Sequence, residues 1–371
     1  MVQPTLDLPE WFVPLPHGSG HYVPVVQNRS GELSALAHAS AVTWAWMTPL
    51  VELVGPRNNS KAYRHDTVKG WVKRTAESVG EHPFFLDVLR MRPAHATATA
   101  DGTRPVLAVI YEAARKRKLR FVPVLRLSDP RSQVQLLRDT ALIDGRGVAL
   151  RYPLLTAALP EGRTLESVIK ESLRAVEVEV TGADLLIDLA YLSPEQDICA
   201  EDIIPAVDEL AGFGNWRSFA LLGTSIPSML GGVITQGTVG EIPRREWELW
   251  SDLRQRGPRR MPSFGDYVIQ HPNPPQDGGG PSMRANIRYT TGNATVVARG
   301  LGPVVTEGRE QYRELCQQLV DRPEFAGRDY SWGDEQIADC ASGMMEPGSN
   351  NAWRGAGSSH HLRRVADQLT R

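Results

Sequence analysis

The sequence predicts an α/β fold, a (β/α)8 TIM-like barrel with a C-terminal extension containing a β-hairpin and helices. Three observations lead there. Eight short apolar segments recur through the first three quarters of the chain, and stretches with helical spacing separate them. The segments are near-continuous hydrophobic runs, as in a parallel sheet covered on both faces, rather than the alternating runs of a half-exposed sheet.

Residues 1–20 hold four prolines and end in a glycine-rich turn, so they read as an N-terminal arm. The barrel follows over 21–275. Its strand candidates are Tyr22–Val26, Thr48–Leu53, Phe84–Arg90, Arg120–Leu127, Gly147–Pro153, Ala183–Ala190, Ser218–Ser225 and Asp266–Pro272. Their centres lie 26 to 47 residues apart, room for the crossover helix that two neighbouring parallel strands need. Between them, Val106, Ile110 and Ala114 share one helical face, as do Leu165, Ile169 and Leu173. Eight such units close a barrel. A doubly wound open sheet would carry a glycine-rich phosphate turn after its first strand, and none is present.

Beyond Pro272 the character changes. A turn-rich linker leads into a hairpin around Thr291–Asn293, a helix over Glu310–Val320, an aromatic and glycine-rich stretch, and a last helix opened by His360 and His361. Residues 276–371 form the extension laid across the barrel. The segment Met229–Glu241, with four glycines, reads as a mobile loop after the seventh strand.

With 41 basic and 43 acidic residues, the net charge of −2 draws the chain neither to nucleic acid nor to an anionic membrane. Cys199, Cys316 and Cys340 lack metal-ligand spacing and fit packing roles. Few cysteines, no signal-like segment and no bilayer-length apolar run suggest a cytoplasmic protein without membrane contact. No metal and no cofactor is expected: adjacent histidines on a helix point about 100° apart and cannot share one ion.

In such a barrel the working groups lie at the C-terminal strand ends. These offer Glu52, Asp87, Arg126, Arg151, Asp188 and Tyr191, with Gln270 and His271 on the eighth strand. Charges inside apolar strands need partners, so the acids and arginines are expected to pair across the mouth. The arginines would also suit an anionic small molecule. If the protein is an enzyme, Glu52 or Asp188 would be the general base and His360 the acid of a hydrolase or lyase acting on a phosphorylated small molecule or nucleotide, with Arg126, Arg151, Tyr191, Trp353 and His361 binding substrate. If it is a binding protein, the same rim would be covered by Trp353, His360 and His361. Ser225, Ser358 and Ser359 lie in no nucleophile motif.

Three stretches, Tyr22–Leu36 ("YVPVVQNRSGELSAL"), Thr48–Leu53 and Tyr330–Ile337 ("YSWGDEQI"), together with Asn350–Leu369, resemble the Beta protein family, named for a protein of a phage satellite. The resemblance runs effectively from end to end. It implies a role in phage conflict or antiphage defence, antitoxin-like, with a toxin or defence-system protein as partner. It points to Tyr22, Pro24, Gly31, Glu32, Glu52, Trp332, Gly333, Trp353, His360 and His361, without assigning a reaction.

Overall fold

The computed structural model describes residues 18–54, 65–90, 105–159, 161–273 and 284–370; the N-terminal arm up to residue 17 and the 274–283 linker lie outside them. Eight parallel strands close a barrel: β1 (Tyr22–Gln27), β2 (Leu50–Val54), β3 (Phe84–Arg90), β4 (Phe121–Arg126), β5 (Val148–Pro153), β6 (Ala183–Tyr191), β7 (Ser218–Thr224) and β9 (Ser263–Asp266). Closure runs through Tyr22 opposite Phe264 and Val23 opposite Gly265.

Period-two alternation sorts the strand residues into two layers. Val23, Val25, Leu50, Phe85, Val124, Ala149, Leu186 and Leu222 fill the barrel interior. Tyr22, Val51, Leu86, Leu150, Leu185 and Phe264 face outward into the core shared with the helices. Two residues beyond Leu50, Phe85, Val124, Ala149 and Leu186, the same parity brings Glu52, Asp87, Arg126, Arg151 and Asp188 inward at the C-terminal end. The charged ring at the mouth is therefore the top layer of the barrel's own packing.

The eighth strand corrects the sequence reading. It occupies Ser263–Asp266, not Asp266–Pro272, and Val268 turns the chain with φ of 57° in the left-handed region. The apolar run Tyr267–Ile269 is buried as a turn rather than a strand.

A second, three-stranded antiparallel sheet has the order β10 (Arg284–Thr290), β11 (Ala294–Pro303), β8 (Val239–Pro243). The expected hairpin is β10–β11. Its third strand comes from Met229–Glu241 and the residues just after, so that segment contributes an edge strand, with Thr295 opposite Ile242. One face of this sheet packs with helices Gln311–Val320 and Trp332–Ala341 into a separate apolar cluster around Tyr289, Tyr312, Ile337 and Trp353.

The terminal helix is the main departure. It spans Asn350–Leu369, capped by Ser349, whose hydroxyl accepts from the Ala352 N–H, so the two histidines lie in its middle and not in its first turn. Gly355 and Gly357 read as loop residues, yet they are helical, and neighbouring backbone leaves no room there for a side chain: a Cβ on Gly357 would collide with the Arg288 carbonyl, and one on Gly31 with the Asn351 carbonyl. Gly20, just before β1, approaches the Leu369 carbonyl at the other end. The helix thus runs antiparallel to β1, from the barrel's C-terminal rim to its base, and sends Leu362, Val365 and Leu369 into the core around the barrel. It fills the place of the helix that would follow the eighth strand.

Candidate functional site

At the mouth, Arg151 is the hub. Its Nε donates to Asp188 Oδ2 at 2.9 Å, Nη1 to Glu52 Oε1 at 2.8 Å and Asp87 Oδ2 at 2.7 Å, and Nη2 to the Tyr267 hydroxyl at 2.6 Å, with Asp188 Oδ2 also 2.7 Å from Nη2. Four hydrogen bonds and the close Nη2–Asp188 ion pair thereby hold the planar guanidinium on every side. Tyr267 in turn donates a hydrogen bond to Asp188, 2.7 Å away. Burial works against charge on Arg151, but Tyr267, Asp188, Glu52 and Asp87 outweigh it and hold the guanidinium well above its ordinary range. Asp188 also accepts from the Ala190 N–H, and Ala190 adopts φ of 54° where β6 bulges.

Arg126 sits one strand away, Nη2 at 3.1 Å from Asp129 and Nη1 at 3.8 Å from Asp87. Its Nε is buried and has no partner among the described residues. Burial pushes the Asp129 carboxyl up to about 6, against the pull of Arg126. Above this network lies a cavity of about 380 Å³, lined by Arg126, Arg151 and Asp188 and, on the apolar side, by Pro153, Ala157, Leu159 and Val168.

The structure brings Glu52, Asp188, Arg126 and Arg151 together, as expected, and adds Tyr267 and Asp129. Among the described residues, Tyr191 makes no hydrogen bond to this network and does not line the cavity; its ring lies 4.9 Å from that of His271. The other three residues belong elsewhere. His361 points at the outer wall of the barrel, Nε2 2.8 Å from Asp266 and Nδ1 2.7 Å from the Thr290 hydroxyl; Tyr22 donates to the same carboxylate at 2.6 Å. Burial raises Asp266, yet His361, Arg244 and Tyr22 bring it below the ordinary carboxylate range, and burial lowers His361. A neutral His361 that donates from Nε2 and accepts at Nδ1 satisfies every partner.

His360 points the other way. Its Nδ1 is 2.9 Å from Asp334 and its Nε2 2.7 Å from the Thr290 carbonyl, with the Tyr289 ring stacked 3.8 Å away and the Tyr289 hydroxyl donating to Asp334. Both ring nitrogens meet acceptors in the appended lobe, so His360 is not placed to protonate a leaving group at the mouth. Trp353 stacks on Tyr312 in the second cluster. The histidine pair therefore fastens two units: successive residues on a helix diverge by about 100°, so one imidazole reaches the barrel and the other the lobe. Of the serines, Ser225 donates to Glu246 at 2.6 Å, Ser359 accepts from the Gly333 N–H, and Ser358 is buried.

Tyr267, Asp129, Asp266 and Asp334 escaped the sequence reading. Tyr267 follows the inward parity of Gly265 once the eighth strand is placed at Ser263–Asp266, and Asp334 stands within the "YSWGDEQI" stretch. Among the described residues, no group of three or more metal-ligating side chains converges, and no helix is long and apolar enough to cross a membrane.

Among solved structures, one of a protein assigned to the dihydrodipicolinate synthase family from Coccidioides immitis is similar at 12% identity, covering 60% of this chain and 64% of that one, with a TM-score of 0.31. No curated protein matches. The Beta protein family model matches residues 22–367, nearly the whole chain. The chain belongs to the Beta protein family.

Proposed function

We propose that this protein is the binding or regulatory member of a phage-conflict system, antitoxin-like, and that its barrel mouth takes up a small anionic molecule. The carrying observation is the Arg151 hub, internally satisfied beneath an open cavity with Arg126 on its wall. An acid–base enzyme needs an acid and a base converging on one reacting atom. Here Glu52 and Asp188 are tied to a fixed guanidinium, and the imidazole expected to partner them is engaged with Asp334 and Thr290. The anionic group would meet Arg126, and an apolar portion would rest on Pro153, Ala157 and Leu159. The conflict setting, and a toxin or defence-system protein as partner, come from family membership.

A thermal-shift screen of metabolites on the purified protein tests this, because a ligand of the folded state raises the melting temperature by mass action. A saturable rise that Arg126→Gln abolishes, with the compound recovered unchanged by NMR, supports the reading. Turnover of that compound contradicts it.

A further inference from the structure

A second cavity, of about 110 Å³, lies at the first turn of the terminal helix and is lined by Ile269, Gln270, Asn286, Arg288, Asn350, Trp353 and Arg354. Its polar groups are oddly short of partners. Trp353 is 1% exposed, and its indole Nε1 has no hydrogen-bond partner among the described residues; neither have Arg288 Nε and Asn350 Oδ1, all buried. Leaving a buried polar group unmet costs about 1–3 kcal/mol, so two donors and one acceptor without partners at one cavity call for an explanation.

The charges point the same way. Arg288 is anchored by a hydrogen bond from Nη1 to the Ile269 carbonyl, and Arg354 faces it closely enough to oppose its charge. The carboxylate near both is Glu32, which burial pushes up to about 7 despite the pull of Arg354 and Arg29, so it neutralises them only in part. Arg288, Arg354 and Trp353 line this cavity beside the first turn of the 20-residue terminal helix, whose positive end favours an anion. A half-turn of the Asn350 amide, costless in shape, would add its N–H2 as a further donor.

We propose that this cavity is a binding site for a phosphate-class oxyanion, held by Trp353 Nε1, Arg288 and Arg354 against the helix N-terminus. It is separate from the mouth cavity and shares no lining residue with it. A free phosphate ion and the phosphoryl group of a larger molecule present the same oxygens here.

The test is calorimetric and thermal-shift titration of the full-length protein with inorganic phosphate, at ionic strength held constant with chloride. Saturable binding is expected. Trp353→Phe keeps an aromatic ring on Tyr312 while removing the indole N–H along with part of the ring; it should weaken phosphate severalfold, and Arg354→Gln about tenfold or more. Arg163→Gln, at an exposed ion pair remote from the cavity, should bind like the wild type. Competition by glycerol phosphate would identify a phosphoryl-bearing ligand, and phosphate binding without such competition a free ion; either supports the site. Absence of saturable phosphate binding to the wild type overturns it. So does binding unchanged in Arg354→Gln and in Trp353→Phe, and if one variant fails to fold the other decides alone.

Discussion

The barrel mouth and the outer wall beneath the terminal helix both bury several charges, but they use them differently. At the mouth three carboxylates and a phenol crowd around one guanidinium under a cavity. On the wall each imidazole has its own carboxylate, and the pair is sealed between barrel and lobe. A fully occupied hub with solvent above it fixes the shape of a recess. A matched pair buried between barrel and lobe fixes one unit to another. Burial of charge alone therefore does not mark a functional site; the adjoining volume does.

The largest effect should come from the hub. Arg151→Met leaves Glu52, Asp87 and Asp188 buried without their cation and should cost about 3–5 kcal/mol in urea unfolding. A loss below about 1 kcal/mol would mean the acids do not depend on it. Next come the fasteners: His361→Phe strands the Asp266 carboxylate and should cost about 2–3 kcal/mol, and His360→Phe a similar amount at Asp334. Hydrogen exchange should separate them from the hub, with β10 and β11 losing protection first, whereas Arg151→Met should loosen the barrel strands.

Glu32 sharpens the contrast through pH. Its folded carboxyl titrates at about 7 against an ordinary 4.5, so between these values the folded protein keeps a proton that the unfolded chain releases. Stability from this group is present below pH 4.5 and is lost as pH rises through 7. Glu32→Gln should remove that fall, gaining about 2 kcal/mol at pH 8 and almost nothing at pH 4.5. A gain independent of pH would contradict it. The smallest effect is expected from Tyr22→Phe, which deletes one donor to Asp266 and should cost about 1 kcal/mol, read as a lower melting temperature.

Much of the barrel was legible because parallel strands covered on both faces advertise themselves as apolar runs, and period two then places Glu52, Asp87, Arg126, Arg151 and Asp188 on the inner face. The eighth strand was not, since Ser263–Asp266 is short and carries a glycine while the buried turn after it is more apolar. The terminal helix was misread at its start because Gly355 and Gly357 lower helix propensity; their reason is close backbone contact, invisible in one dimension. The pairing of β8 with β11 joins residues over 50 positions apart, and no local period records that.

The central claim is that the terminal helix completes the barrel, so that barrel and extension fold as one unit although the linker near residue 275 suggests a boundary. Urea unfolding of a chain ending at residue 275, followed by circular dichroism beside the full-length protein, tests it most directly. Without Leu362, Val365, Leu369 and His361 to cover the outer wall around β1 and β9, the shortened chain should lose its cooperative transition. A sharp transition with near-native stability would contradict the account.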